Sequence, residues 1–121
     1  MNRIVHFEIG AGDFEKSKKF YEDIFGWKYE LYEGKEPYYL IKTGDKSTPG
    51  INGGMFKSKG EPLSVNTIEV NNIDEMMAKV ESNGGTIAVR KMPIPGLGWL
   101  CYCKDSESIL FGLYQDDKNA K

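Results

Sequence analysis

Residues 4–27, IVHFEIGAGDFEKSKKFYEDIFGW, decide the fold. Arg3–Ile9 alternates, with Val5, Phe7 and Ile9 on one face and Ile4, His6 and Glu8 on the other. A period of two is the mark of a strand with one apolar and one partly polar face. After Gly10-Ala11-Gly12 the pattern changes to helical spacing: Phe14, Tyr21, Ile24 and Phe25 recur along one side, with Phe20 at their edge. Asp13 just before them is an N-cap, because its carboxylate can accept from the free amides of the first turn. Gly26 supplies a left-handed stop. Glu15, Lys18, Lys19 and Glu22 form the opposite, solvated face.

Three strand candidates follow: Trp27–Glu33, Pro37–Thr43 and Gly50–Phe56. A polar connector, residues 57–62, then leads to the same order of elements again. Leu63–Val70 reads as a strand, Asp74 as the cap of a helix to about Ser82, and Gly84-Gly85 as its end. Thr86–Lys91, Gly98–Lys104 and Ile109–Gln115 read as strands, with Met92–Leu97 a loop between the first two. The chain of 121 residues is therefore read as one domain, residues 1–121, built from a duplicated unit. Module 1 covers about 1–58 and module 2 about 63–115, and a polar tail, 116–121, is expected to fray. A displacement of 61 places His6 on Thr67, Glu8 on Glu69, Asp13 on Asp74, Tyr38 on Trp99 and Leu40 on Cys101. A displacement of 58 places Gly54 on Gly112.

Composition narrows the function. Hydrophobic residues are 40% and charged residues 28%, the balance of an ordinary globular protein. Lys plus Arg is 16 against 18 Asp plus Glu, a net charge of −2, which does not supply the concentrated basic surface of a nucleic-acid binder. No apolar run approaches the roughly 18 residues of a membrane span, and the N-terminus enters its strand without a secretory core. Cys101 and Cys103 would share a strand face about 6.6 Å apart, whereas a disulfide brings Cβ atoms to about 4 Å. A cytoplasmic location is the default expectation. The 14 glycines sit between periodic segments as turn punctuation. Gly96-Leu97-Gly98 precedes a strand, with no helix after it, and is not a phosphate loop.

The opening stretch, together with KDSESILFGLYQ at residues 104–115, resembles the vicinal oxygen chelate superfamily. That group comprises glyoxalases, bleomycin-resistance proteins, fosfomycin-resistance enzymes and extradiol dioxygenases. The resemblance spans nearly the whole chain and implies an α+β fold: two βαβββ modules forming a curled mixed sheet around a cavity, with helices on the outer face. Short chains of this family often form a homodimer. Metal-dependent members hold a divalent ion from one position on the first and one on the last strand of each module. Carried over, those positions are His6, Gly54, Thr67 and Gly112. Only His6 is a competent ligand; Thr67 is a poor one and glycine has none to give. Working sites supply about three protein ligands, so no metal or other cofactor is expected.

The resulting expectation is a binder of an unknown small molecule, contacted by His6, Glu8, Thr67, Glu69, Trp99, Gly112 and Tyr114. Each has a plainer reading: a satisfied strand histidine, solvated carboxylates, and aromatics that pack in the core along with Tyr38, Tyr39 and Tyr102. The two glycines leave space that suits a ligand or a bulky neighbour approaching the backbone. His6, the single histidine, is also the candidate catalytic residue of an alternative reading. That reading is a metal-dependent lyase, isomerase or dioxygenase using Zn, Ni, Mn or Fe with non-standard ligands.

Overall fold

A computed structural model describes residues 1–121. It contains the repeated strand–helix–strand–strand–strand order in full. The elements are β1 (Arg3–Ala11), α1 (Phe14–Phe25), β2 (Lys28–Tyr32), β3 (Tyr38–Lys42), β4 (Gly53–Lys57), β5 (Leu63–Glu69), α2 (Ile73–Ser82), β6 (Thr86–Ile94), β7 (Gly98–Lys104) and β8 (Leu110–Asp116). Two compact units emerge: His6–Val65, and Asn66–Lys121 together with Met1–Val5. The fold is α+β with two βαβββ modules.

In the first unit the strand order is β2-β3-β4-β1. β1 and β4 run parallel, as a crossover through a helix requires, while β2, β3 and β4 form antiparallel neighbours. Ala11, Ile41 and Met55 form its buried core, with Phe7, Ile9, Phe14, Trp27, Tyr29 and Tyr39 packed around them. The Asp13 carboxylate accepts from the Lys16 amide, and Gly26 takes the left-handed conformation (φ 74°) that ends α1. Trp27, expected to open β2, instead stacks on Tyr21 at 4.8 Å between ring centres.

The second unit repeats the arrangement in the order β5-β8-β7-β6. β5 and β8 are parallel, and β8, β7 and β6 antiparallel. Its core is Val70, Ile73, Met77, Cys101, Cys103 and Leu113. Phe111 of β8 packs against that cluster as well. No helix is long and apolar enough to cross a membrane.

Four expectations need correction. Asn72, not Asp74, caps α2, its side-chain oxygen accepting from the Glu75 amide at 3.0 Å. Asp74 lies in the first turn and pairs with Lys91. β6 runs on to Ile94 through the segment expected to be a loop, Pro93 included. β6 ends the strand order of its unit, and an edge strand tolerates a residue without an N–H. Two register shifts along its pairing with β7 bend it. The tail does not fray: Asp117 donates its amide to Leu97 and accepts from the Trp99 indole, the Gly96 amide bonds the Ala120 carbonyl, and Ala120 is buried.

The fourth correction is the register of the repeat. Asp13 and Asn72 stand 59 residues apart, not 61. The ladders agree, since Glu8 faces Gly54 on β4 while Thr67 faces Gly112 on β8. The counterpart of Glu8 is therefore Thr67, and the counterpart of His6 is Val65, a buried apolar side chain. In the same way Leu40 faces Gly54 and Tyr102 faces Gly112, so Tyr38 corresponds to Leu100 rather than to Trp99.

The cap assignment has a measurable consequence. Asn72→Ala should cost about 1 kcal/mol in denaturant unfolding. Asp74→Ala, which removes only an exposed ion pair, should cost a few tenths of a kcal/mol at most. Equal costs would return the cap to Asp74.

Candidate functional site

Strand alternation places His6 and Glu8 on one face of β1, opposite Phe7 and Ile9. Glu8 is only 4% exposed, and His6 is half-buried. A carboxylate this far from water needs donors, because desolvation without them costs several kcal/mol. Tyr38 supplies one: its hydroxyl donates to Glu8 Oε2 at 2.7 Å. The Tyr38 hydroxyl oxygen also lies 3.1 Å from His6 Nε2. Tyr38 begins β3, opposite Tyr32 on β2, and the two rings meet edge to face at 6.2 Å.

Gly54 makes this arrangement possible. It is the residue of β4 directly opposite Glu8. A side chain added there would start inside the Tyr38 phenol, touching its hydroxyl oxygen and ring carbons. The space expected over this glycine is thus filled by a bulky neighbour from the adjacent strand. In the sequence Tyr38 is one of several strand aromatics, and the expected repeat pairs it with Trp99. The sequence signal for its role is Gly54 itself, facing a carboxylate on the parallel strand and therefore open to a long side chain.

Burial pushes the His6 imidazole below its ordinary pKa of 6.5, and the nearby Glu8 charge opposes that shift without cancelling it. Among buried polar side-chain atoms only Tyr29 Oη and Thr67 Oγ1 lack a partner. His6 Nδ1 makes no hydrogen bond within the chain and is not among those buried atoms, so solvent reaches it.

The remaining candidates lie in the second unit. Thr67 is 3% exposed and faces Gly112, where an added Cβ would lie 2.9 Å from Thr67 Oγ1. Glu69 faces Tyr114 across the β5–β8 ladder. A hydrogen bond to Asp116, then burial, then the Asp116 charge all raise the Glu69 carboxyl above its usual range. Burial first, and Asp116 second, push the Tyr114 phenol up to about 12, and its hydroxyl donates to the Leu97 carbonyl. Trp99 packs against the α2-side core with Cys101 and Cys103, donates its indole N–H to Asp117, and lies beneath Lys91. Thus His6 and Glu8 are joined through Tyr38 in one unit, while Thr67 with Gly112, and Glu69 with Tyr114, form pairs in the other.

The two cysteines are free and fully buried, their sulfurs 3.8 Å apart. Burial first, and the neighbouring Cys103 thiol second, push Cys101 up to about 12. They behave as core side chains.

As donors for a divalent ion, the first unit offers His6 and Glu8. Gly54 adds no side chain, and both donors are engaged by Tyr38. No group of three or more His, Cys, Asp or Glu side chains is placed to hold an ion. About three protein ligands are usual for a working divalent site, and this set falls short of that number.

Residues 3–111 match the family model of the Glyoxalase/Bleomycin resistance protein/Dioxygenase superfamily. The chain belongs to that superfamily. No curated protein sequence matches it. Among solved structures it is similar to a hypothetical protein of Bacillus halodurans, with 16% identity, 99% of this chain and 98% of that one covered, and a TM-score of 0.70. It is also similar to a Streptomyces coelicolor methylmalonyl-CoA epimerase variant in complex with 2-nitronate-propionyl-CoA (15% identity, 100% and 99% covered, TM-score 0.70). A third is the Mn(II)-bound glyoxalase of Novosphingobium aromaticivorans, at 20% identity and a TM-score of 0.66, with 99% of this chain but 41% of that one covered. At these identities the likeness is one of fold, and the site must be read from this chain's own residues.

Two solution properties follow. A histidine pKa lowered on folding means that the unfolded chain binds more protons as pH falls through 6.5. The His6 contribution is therefore present above pH 6.5 and lost as pH drops toward the folded value. The melting temperature should decline over that window, and less so in His6→Phe; identical profiles would count against a buried neutral imidazole. Both thiols should resist a disulfide reagent in native buffer at neutral pH and react promptly after unfolding. Fast native labelling would contradict their burial.

Proposed function

We propose that this superfamily member binds a small organic molecule at the His6–Tyr38–Glu8 cluster without a divalent ion. The observation that carries this reading is the position of the Tyr38 hydroxyl over Gly54, where it satisfies Glu8 and meets His6 Nε2. The polar groups that could turn toward an ion are already bonded to a phenol. A metal would have to displace a charge-assisted hydrogen bond, worth about 1.5–3 kcal/mol, and would then find two protein donors. Assembly as a homodimer belongs to the same proposal.

A second reading rests on His6 Nδ1. An accessible, unpartnered imidazole nitrogen whose ring is held through Tyr38 to a carboxylate is suited to taking a proton from a carbon acid. That is isomerase or lyase chemistry, and methylmalonyl-CoA epimerase is among the proteins of similar fold. Dioxygenase chemistry, or a metal-dependent variant of either, needs ligands beyond His6 and Glu8.

The test is ligand binding by chelator-treated protein, followed as a thermal shift against a metabolite panel that includes CoA esters. Binding should be undiminished by chelation and unimproved by Zn, Ni, Mn or Fe. His6→Ala and Glu8→Gln should each weaken it at least tenfold. Stoichiometric metal in the purified protein that disappears in His6→Ala, with binding restored only by that metal, would overturn the proposal. Ligand turnover by the metal-free protein, lost in His6→Ala, would favour the second reading.

A further inference from the structure

A hydroxyl has one proton to give. The Tyr38 proton lies on the 2.7 Å bond to Glu8 Oε2, since a carboxylate oxygen can only accept. The 3.1 Å contact between Tyr38 and His6 Nε2 is then a hydrogen bond only if Nε2 carries the hydrogen. The neutral imidazole has one N–H, so Nδ1 is left with a lone pair. Nδ1 has no partner in the chain and is open to solvent.

We propose that Tyr38 is a positioning residue that holds His6 as its Nε2–H tautomer, so that the site offers ligands a hydrogen-bond acceptor at Nδ1 and selects molecules bearing an N–H or O–H donor. The ligand class rests on the function proposed above, whereas the tautomer does not. The order of influence runs inward: the buried Glu8 orients the phenol, the phenol orients the imidazole, and the imidazole sets the polarity seen by a ligand. Gly54 belongs to the same device, because any side chain there would displace the phenol. Discrimination of this kind can be strong. A site built to accept a hydrogen bond leaves its own polar atom unpaired when it meets a ligand lacking the donor.

The single histidine makes the experiment unambiguous, since the only imidazole signals in the protein are those of His6. Nitrogen-15 NMR of the ligand-free protein at about pH 8, above the ordinary histidine range, should show one protonated nitrogen, Nε2, and one bare nitrogen, Nδ1. In Tyr38→Phe the fixed tautomer should give way to a mixture. A wild-type Nδ1–H tautomer, or an unchanged Tyr38→Phe spectrum, would overturn the positioning role. If Tyr38→Phe fails to fold, the wild-type spectrum alone decides. For the ligand class the probes are phenol and its methyl ether, anisole. Phenol should displace the Nδ1 signal, and anisole should need at least about tenfold more to do so. Equal displacement by both, or by neither, would remove the donor requirement while leaving the tautomer result standing. A metabolite panel without a single binder would sink the function proposed above, again without touching the tautomer.

Discussion

A nearly inaccessible carboxylate on an otherwise ordinary strand is the constraint around which the first unit's polar face is arranged. Glu8 cannot reach bulk water, so it must find donors inside the protein or give up its charge. Tyr38 meets that need from two strands away in the sheet order, and it can do so only because the intervening strand carries glycine at the crossing point. One residue is chosen for the atoms it has and another for the atoms it lacks. His6 then inherits an orientation that it does not determine itself.

Much of the architecture can be read directly from residue patterns. The alternation in Arg3–Ile9, the Asp13 cap and the Gly26 stop give β1 and α1 almost to the residue, because each is a local interaction with a strong side-chain preference. Where the reading failed, a non-local partner had decided. Pro93 sits in a strand because its missing N–H falls on an edge, which only the sheet order reveals. The tail is held because Trp99 and the Gly96–Leu97 turn bond to it. At the second helix two cap formers stand two residues apart, Asn72 and Asp74, and chemistry alone does not rank them.

The candidate site was legible in part. His6 and Glu8 stand out as polar residues at periodic strand positions, and Gly54 as a missing side chain. That Tyr38 joins them depends on a diagonal reach across the β3–β4–β1 sheet, and no one-dimensional pattern encodes it. The second unit shows the same backbone with different contents. Thr67 and Gly112 occupy the seats of Glu8 and Gly54, and the Thr67 hydroxyl is left without a hydrogen bond. The two halves have kept their ladders and caps while their polar chemistry has diverged.

The 59-residue spacing between the halves carries a lesson about duplicated strands. A slip of one position swaps inside for outside and betrays itself at once. A slip of two leaves every side chain on its proper face while moving it about 6.6 Å along the strand, beyond the length of any coordinate bond. Threonine then masquerades as the twin of histidine, and valine, the true twin, goes unnoticed. In proteins built by doubling, hydrogen-bond rungs are the safer ruler for deciding which atoms face the same chemistry.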